Sequence, residues 1–585
     1  MSPARTRLVA GAAALLTGTS LLAGCSGASG SSSASHDSIA YALPANFTPN
    51  WILPIGTAAH LNTNNISIAN TLWEPLVAYD GSTGKIAWNK AGSVATAADF
   101  AADGTSVRIT LGDRHWSDGK PITSRDVRFW FDLIKANKAQ WAGYNPGKAP
   151  DNWTSFKTED DRHFTITFDR PYNPQWMLAN ELSQITPLPQ HVWDKGGDAK
   201  QVWTSLNNAA KNIAGYEKNA LWKTISGPYA VKSFSTAGKV VLTANKKYDG
   251  GEKPAIPTVN LLPFTTADAE KNALRSGSVD YGYIEATDLD QKDSFTGQGY
   301  TVKPWSGWAI TYMPYNFENP AMGAVFKQLY ARQAVQRSID QTTLAKVVFN
   351  GTAVPGYGPI PQGQASDFVS SAQKSNPYPF STSAARQLLT DHGWTEQGGV
   401  MTCTSPGSGA SRCGDGVAKG TRFAMQVLSQ SGSTVTDNMM SAIQSSLAKT
   451  GVKFSNKTAP VNSVLSQTPP CTSGQSVCKW QLSFFGTAGS WYFSAFPTGD
   501  SLFQSKGGSN FGGYSNPEVD KLISASTTSS STQAIQGYSA ALAKDLPVIW
   551  LPEPVYQISV VRNGLGGFSQ DSLANFHPAQ WKWTS

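Results

Sequence analysis

A strand–helix–strand run late in the chain constrains the fold more than any other feature. Phe423–Gln430 (FAMQVLSQ) and Val452–Ala459 (VKFSNKTA) read as strands, and Asp437–Gly451 (DNMMSAIQSSLAKTG) between them reads as a helix. Such a unit builds a mostly parallel sheet backed by helices. The same alternation runs through the rest of the chain. Ser38–Pro54 opens as a short strand and continues into a Pro-rich loop, and Ser67–Asp80 reads as helix then strand, with a turn at Asp80-Gly81. Ser106–Ala136 runs from an alternating strand through a turn at Asp118-Gly119 into a helix. There Thr123 and Asp126 have the spacing of a capping box. His163–Pro171 alternates as a strand, Gly227–Gly251 reads as a hairpin, and Ile256–Phe264 as a further strand. Thr266–Ile284 is a helix stopped at Gly277 and followed by a strand. Ala324–Gly351 reads as two helices, the second capped by Asp340, and Ser381–Trp394 as a third. Asn516 caps a helix with Pro517 at its first position. The expected fold class is α/β, in two lobes without a long linker.

Composition fits that size of fold. The 585 residues are 40% hydrophobic and 15% charged, with 19 Trp and 19 Tyr, enough for several large cores. The formal charge of +7 falls to +5 once Arg5 and Arg7 leave with an N-terminal leader. That excess is thinly spread and gives no basic stripe for nucleic acid.

The leader is read from the first residues. Arg5 and Arg7 precede an apolar Ala/Gly-rich stretch, Leu8–Ala23, too short to span a bilayer. Leu22-Ala23-Gly24-Cys25 looks like the lipobox of bacterial lipoproteins, in which the cysteine is acylated and becomes the new N-terminus. Residues 1–24 are therefore expected to be a signal peptide, Cys25 a lipid anchor to the membrane, and residues 25–37 a flexible tether. Four further cysteines, an even number in an exported chain, suggest disulfides. Cys403–Cys413 and Cys471–Cys478 are favoured because each closes a short Gly/Ser-rich loop. Zinc is the competing reading, but neither pair has Cys-x-x-Cys spacing or a nearby His.

Enzyme templates fail. The chain has no Gly-x-Ser-x-Gly, His-Glu-x-x-His or Walker loop, and its seven histidines show no metal-ligand spacing. Carboxylate pairs such as Asp160 with Asp161 sit in polar stretches, although a glycosidase can draw its two carboxylates from distant positions. Five motifs do occur in order: Trp116–Val127 (WSDGKPITSRDV), Ser226–Val231 (SGPYAV), Ala273–Asp280 (ALRSGSVD), Ala331–Asp340 (ARQAVQRSID) and Gly512–Ile523 (GGYSNPEVDKLI). Together they resemble the large extracytoplasmic solute-binding proteins of ABC importers, family 5, which serve oligopeptides, dipeptides and nickel.

The resemblance implies a two-lobed periplasmic-binding-protein (Venus flytrap) fold of the large three-domain type, with a hinge between lobes. Domain I would take residues 38–76, 221–305 and 545–585, domain II 77–220, and domain III 306–544. It implies a non-enzymatic monomer without cofactor or metal, handing a peptide or other small molecule to permease subunits with cytoplasmic ATPases. An oligosaccharide, a metal chelate, a specialised metabolite or an exported hydrolase on the same scaffold are the alternatives. Peptide-binding relatives carry Gly-Trp-x-x-Asp-x-x-Asp-Pro late in domain III, and one aspartate holds the ligand's amino group. The matching stretch here, Phe484–Asp500 (FFGTAGSWYFSAFPTGD), has no carboxylate before its last residue, so that anchor is expected to be absent and replaced by aromatics. The expected ligand-binding residues are Gly486, Ser490, Trp491 and Tyr492 there, Trp308, Tyr312 and Asn316 after the hinge, and Asn50 and Trp51 near the start.

Overall fold

The computed structural model describes residues 37–584, apart from 46–47, 83–84, 364–365, 472–477 and 487–488. The expected leader, Cys25 and the tract up to residue 36 lie outside the described residues. No helix among the described residues is long and apolar enough to cross a membrane.

The strand–helix–strand run folds as its pattern requires. Ala424–Gln430 pairs in parallel with Lys453–Ala459 on one side and with Leu482–Phe484 on the other. The connecting helix, Thr434–Thr450, begins three residues earlier than its apolar pattern suggests, because the Ser433 side chain caps it by accepting the Thr436 N–H at 3.1 Å. Gly451, at φ 80°, ends it in the left-handed conformation that glycine adopts without strain.

A seven-stranded sheet gathers distant parts of the chain, in the order Tyr300–Trp305, Gln557–Arg562, Tyr281–Ile284, Ser38–Ala42, Thr258–Leu262, Val240–Ala244, Tyr229–Phe234. Only the pairings of Ser38–Ala42 are parallel. The remaining pairs are antiparallel. The mostly parallel arrangement therefore holds for the three-stranded sheet and not for this one, where a direct hairpin and chain reversals replace helical crossovers.

A third sheet is antiparallel throughout, ordered Ala95–Phe100, Ser106–Leu111, His163–Phe168, Trp153–Thr158. Helix Ser124–Asn137 covers it with Val127, Trp130, Phe131 and Ile134 buried. The capping box forms, with the Asp126 carboxylate accepting the Thr123 N–H at 2.7 Å. Asn516 likewise caps Pro517–Thr528. The stretch read as two helices in Ala324–Gly351 breaks into four short pieces, Gly323–Phe326, Leu329–Arg337, Gln341–Thr343 and a π-turn at Leu344–Val348. Asp340 does cap the third, accepting the Thr343 N–H at 3.0 Å.

The chain passes twice between the seven-stranded sheet and a small antiparallel sheet of Trp491–Tyr492, Ala309–Pro314 and Val548–Leu551. It leaves after Trp305 to enter Ala309–Pro314, and returns from Val548–Leu551 to Gln557–Arg562. The two passages are tied together, since the Tyr556 N–H donates to the Trp305 carbonyl at 2.6 Å.

Both expected disulfides form, Cys403–Cys413 with Cα atoms 6.0 Å apart and Cys471–Cys478 with Cα atoms 5.4 Å apart. Cys403 and Cys413 are fully buried. Replacing both with Ala reopens a loop of about ten residues and is expected to cost ~2–3 kcal/mol. Urea unfolding of that variant checks it, and peptide mapping without reductant should return the same two links.

Candidate functional site

A cavity of about 160 Å³ lies where the two passages run between the sheets. One wall belongs to the seven-stranded sheet and its helix: Tyr283, Glu285, Gln557 and Glu270. The facing wall comes from the segments around the parallel sheet and the broken helix: Gln430, Ser433, Gly486, Tyr492 and Phe349. Pro554, Val555 and Tyr556 of the return passage close one side.

Each polar group has a local origin. Glu270 sits in helix Ala267–Arg275, four residues before buried Leu274, so it shares the helix's inner face. One of its oxygens accepts the Tyr283 N–H at 2.7 Å, and burial pushes the carboxyl well above the usual carboxylate range. Glu285 follows strand Tyr281–Ile284 and reaches across to the other sheet's helix. It accepts the Ser433 hydroxyl, the Thr434 N–H at 2.9 Å and the Val435 N–H at 3.3 Å. A carboxylate at a helix N-terminus meets orphan N–H groups and a favourable dipole. Burial outweighs those bonds and raises its pKa. The main chain adds a second link between the walls, Ala267 N–H to the Gly432 carbonyl at 3.2 Å.

Of the nine expected ligand residues, the cavity brings together Gly486 and Tyr492. Gly486 has φ 83° and donates its N–H to Gln430 Oε1, and the Tyr492 ring packs edge-on to Tyr556 at 5.3 Å. Trp491 precedes Tyr492 in a two-residue strand, so its side chain points to the opposite face, where it packs half-buried on the main core. Ser490 serves the same strand edge, its hydroxyl donating to the Phe485 carbonyl at 3.0 Å. Trp308 and Tyr312 are core residues, and the Trp308 indole donates to the Ser494 carbonyl at 3.0 Å. Asn316 is completely buried, its amide donating to the carbonyls of Cys478 and Trp480 at 3.0 and 2.7 Å. Trp51 stacks on His60 at 4.0 Å, and the Asn50 side-chain oxygen accepts the Asn65 amide N–H at 2.9 Å. The wall residues missed in sequence include Glu270, Tyr283, Glu285, Tyr556 and Gln557, and Phe349, Gln430 and Ser433 on the facing side. A charged residue on the apolar stripe of its helix was the one available signal, at Glu270.

Two sheet systems joined by paired chain passages, with a cavity between them, define the two-lobed architecture of a solute-binding protein. The chain belongs to the bacterial extracellular solute-binding proteins, family 5, whose middle-region model matches residues 91–510. A putative ABC transporter peptide-binding protein of Brucella ovis is 25% identical over 391 residues, 66% of this chain and 63% of that one. The chain thus spans less than two thirds of that relative's length. The periplasmic oligopeptide-binding protein OppA of Salmonella typhimurium is 26% identical over 304 residues, 48% of this chain and 50% of OppA. Among solved structures, the oligopeptide-binding protein AppA of Bacillus subtilis, in complex with a nonapeptide, superposes with a TM-score of 0.74 at 18% identity, covering 94% of this chain and 99% of AppA. NikZ of Campylobacter jejuni, in complex with Ni(L-His), gives 0.70 at 19% identity over 93% and 99%. The fold is the two-lobed α/β fold that the sequence motifs imply.

Beside the cavity, the return passage carries Glu553, paired in a short ladder with Val354. One of its oxygens accepts the Gln362 and Gly363 N–H groups at 2.5 and 3.1 Å, while the other has no partner. Burial pushes this carboxyl up to about 8. Between its ordinary value and that pH, the folded protein holds a proton that the unfolded chain releases. The contribution is complete at acid pH and is lost as pH rises toward 8. Wild type is therefore expected to lose stability relative to Glu553→Gln between pH 5 and 8, by on the order of 4 kcal/mol. Chemical denaturation of both proteins across that range measures it.

Proposed function

We propose that this protein is the lipid-anchored, extracytoplasmic substrate-binding component of an ABC importer, capturing peptides in the cavity between its lobes and passing them to permease subunits driven by cytoplasmic ATPases. The observation that carries the reading is the largely apolar, aromatic-walled cavity at the paired passages of a family 5 chain. Peptide-binding names among the relatives support the solute class. The passages supply a hinge. At about 160 Å³ the cavity is smaller than the ~300–1,000 Å³ of common ligand sites, so it suits a short ligand, and a longer one requires the lobes to part.

The domain division follows the sheets. Domain I holds the seven-stranded sheet, domain II (77–220) the four-stranded antiparallel sheet, and domain III the parallel and small sheets. Because Val548–Leu551 pairs with Ala309–Pro314, we place the return to domain I at 552–556 rather than at 545. Cys25 supplies the anchor, since each acyl methylene buried in the bilayer contributes ~0.8 kcal/mol.

Two measurements test this. Protein isolated from its native membrane and denatured should release short peptides detectable by mass spectrometry, whereas a uniform sugar or metal chelate would replace the peptide reading. Cys25→Ser should move the protein from the membrane to the soluble fraction, and retention after a salt wash would contradict the anchor.

A further inference from the structure

A second group of titratable side chains lies away from the solute cavity, beside the passage that leaves after Trp305. Strand Ala78–Asp80 meets the loop 569–577 near the end of the chain. There one ligand atom each of Asp80, Asp571 and His577 lies within 4.8 Å of the other two. That span is about the width of one ion's coordination shell, with bonds of ~2.0–2.2 Å. None of the three residues lines the solute cavity. Asp571 is the centre of the group and is completely buried. It accepts the Gly81 N–H at 2.9 Å across 490 residues of chain, the Leu573 N–H at 2.8 Å and the Asn575 amide at 2.7 Å, and it lies 3.0 Å from His577 Nε2. The one ion pair it makes among the described residues is with His577, which is partly exposed. Two carboxyl groups around a single imidazole leave an excess of negative charge, and burying such charge without a cation is costly. A further observation is independent of these three. Ser572 is 3% exposed, and its hydroxyl has no hydrogen-bond partner among the described residues. The hydroxyl is aimed at the Asp80-Gly81 turn, because a Cβ at Gly81 would collide with Ser572 Oγ and stand 2.9 Å from Asp571 Oδ1. Buried hydroxyls nearly always have a partner, and this one points to a ligand between itself and the carboxylates.

We propose that Asp80, Asp571 and His577 bind a divalent transition-metal ion, with the Ser572 hydroxyl as a fourth donor. An imidazole nitrogen among carboxylate oxygens suits Zn²⁺ and Mn²⁺ and disfavours Ca²⁺ and Mg²⁺, which take oxygen ligands. His577 offers Nε2 as a lone pair, with its ring proton on Nδ1. Its ring also borders a cavity of about 20 Å³, room for about one water beside the imidazole. The ion supplies the counter-charge that Asp571 otherwise draws from a partly exposed histidine, and it gives Ser572 its missing partner. Its role is that of a brace. It ties the loop 569–577 to strand Ala78–Asp80, and that loop in turn holds the passage between the sheets. The Trp305 indole donates to the Asp571 carbonyl at 2.9 Å, and the Trp308 N–H donates to the Ser572 carbonyl at 2.7 Å. The ion stands apart from the solute, and the site is the same whatever the solute is.

The mature full-length protein, stripped with EDTA, is titrated calorimetrically with Zn²⁺, Mn²⁺ and Ca²⁺, and its melting temperature is followed with and without each ion. Zn²⁺ should bind one per chain with a dissociation constant of about 1 μM or tighter. Mn²⁺ should bind at least tenfold more weakly, in keeping with the general order of divalent affinities, and Ca²⁺ should show no saturable site. Excess Zn²⁺ should raise the melting temperature by about 2 °C or more. Asp80→Asn and His577→Gln should each weaken Zn²⁺ at least tenfold and abolish that rise, while their metal-free melting temperatures stay close to wild type. Ser572→Ala should weaken Zn²⁺ several-fold, and with Asp80→Asn it carries the test if His577→Gln is unstable. Exposed pairs such as His115 with Asp249 and His191 with Asp118 also attract zinc, so the variants decide. Zn²⁺ binding that none of the three substitutions changes is surface zinc only and would overturn the site. Ca²⁺ binding as tight as Zn²⁺ would overturn the transition-metal assignment.

Discussion

The bond from the Tyr556 N–H to the Trp305 carbonyl, 2.6 Å long, fixes where the chain's two passages lie beside one another. The rings of these residues also pack edge-on at 4.9 Å, and the Trp305 indole donates to the Asp571 carbonyl at 2.9 Å. Both passages are thereby pinned at the edge of the seven-stranded sheet. The small sheet, the parallel sheet and their helices follow from this pair of passages, and the Glu285 and Ala267 bonds to residues 432–435 tie them to that sheet again. A cavity lies between the walls, and Gly486 and Gly489 line it on the facing side without side chains to fill the space.

Two kinds of polar group span the walls. Glu285 links them directly by capping the helix on the far side, which adds a specific hydrogen-bonded contact to the apolar packing. On the seven-stranded-sheet side, Glu270 accepts the Tyr283 N–H at 2.7 Å, and Gln557 adjoins the Tyr556 phenol. Glu553, on the same passage, carries a further buried carboxyl and couples the loop at Gln362 and Gly363 to the passage.

What the sequence revealed is local, and what it hid depends on distant contacts. The caps at Thr123 and Asn516, the parallel unit around helix Thr434–Thr450 and both disulfides were legible because each depends on residues close in the chain. The seven-stranded sheet was not, since Ser38–Ala42 lies between Thr258–Leu262 and Tyr281–Ile284, more than two hundred residues away. Aromatic content was a poor guide to which residues line the cavity. Trp308 and Trp51 are core residues, and of the adjacent pair at 491 and 492 only the second lines the cavity, a difference set by the strand's alternation. The carboxyl and amide groups that give the cavity its chemistry stand alone in their segments, so no motif marks them.

The most direct measurement is a crystal structure of the protein carrying the solute with which it is isolated. Density for that solute should lie between the two passages, against Glu270, Gln557 and Tyr492, with the Glu285 contact to Ser433 and Thr434 retained. A solute bound elsewhere on the molecule, with only water between these residues, would contradict the account.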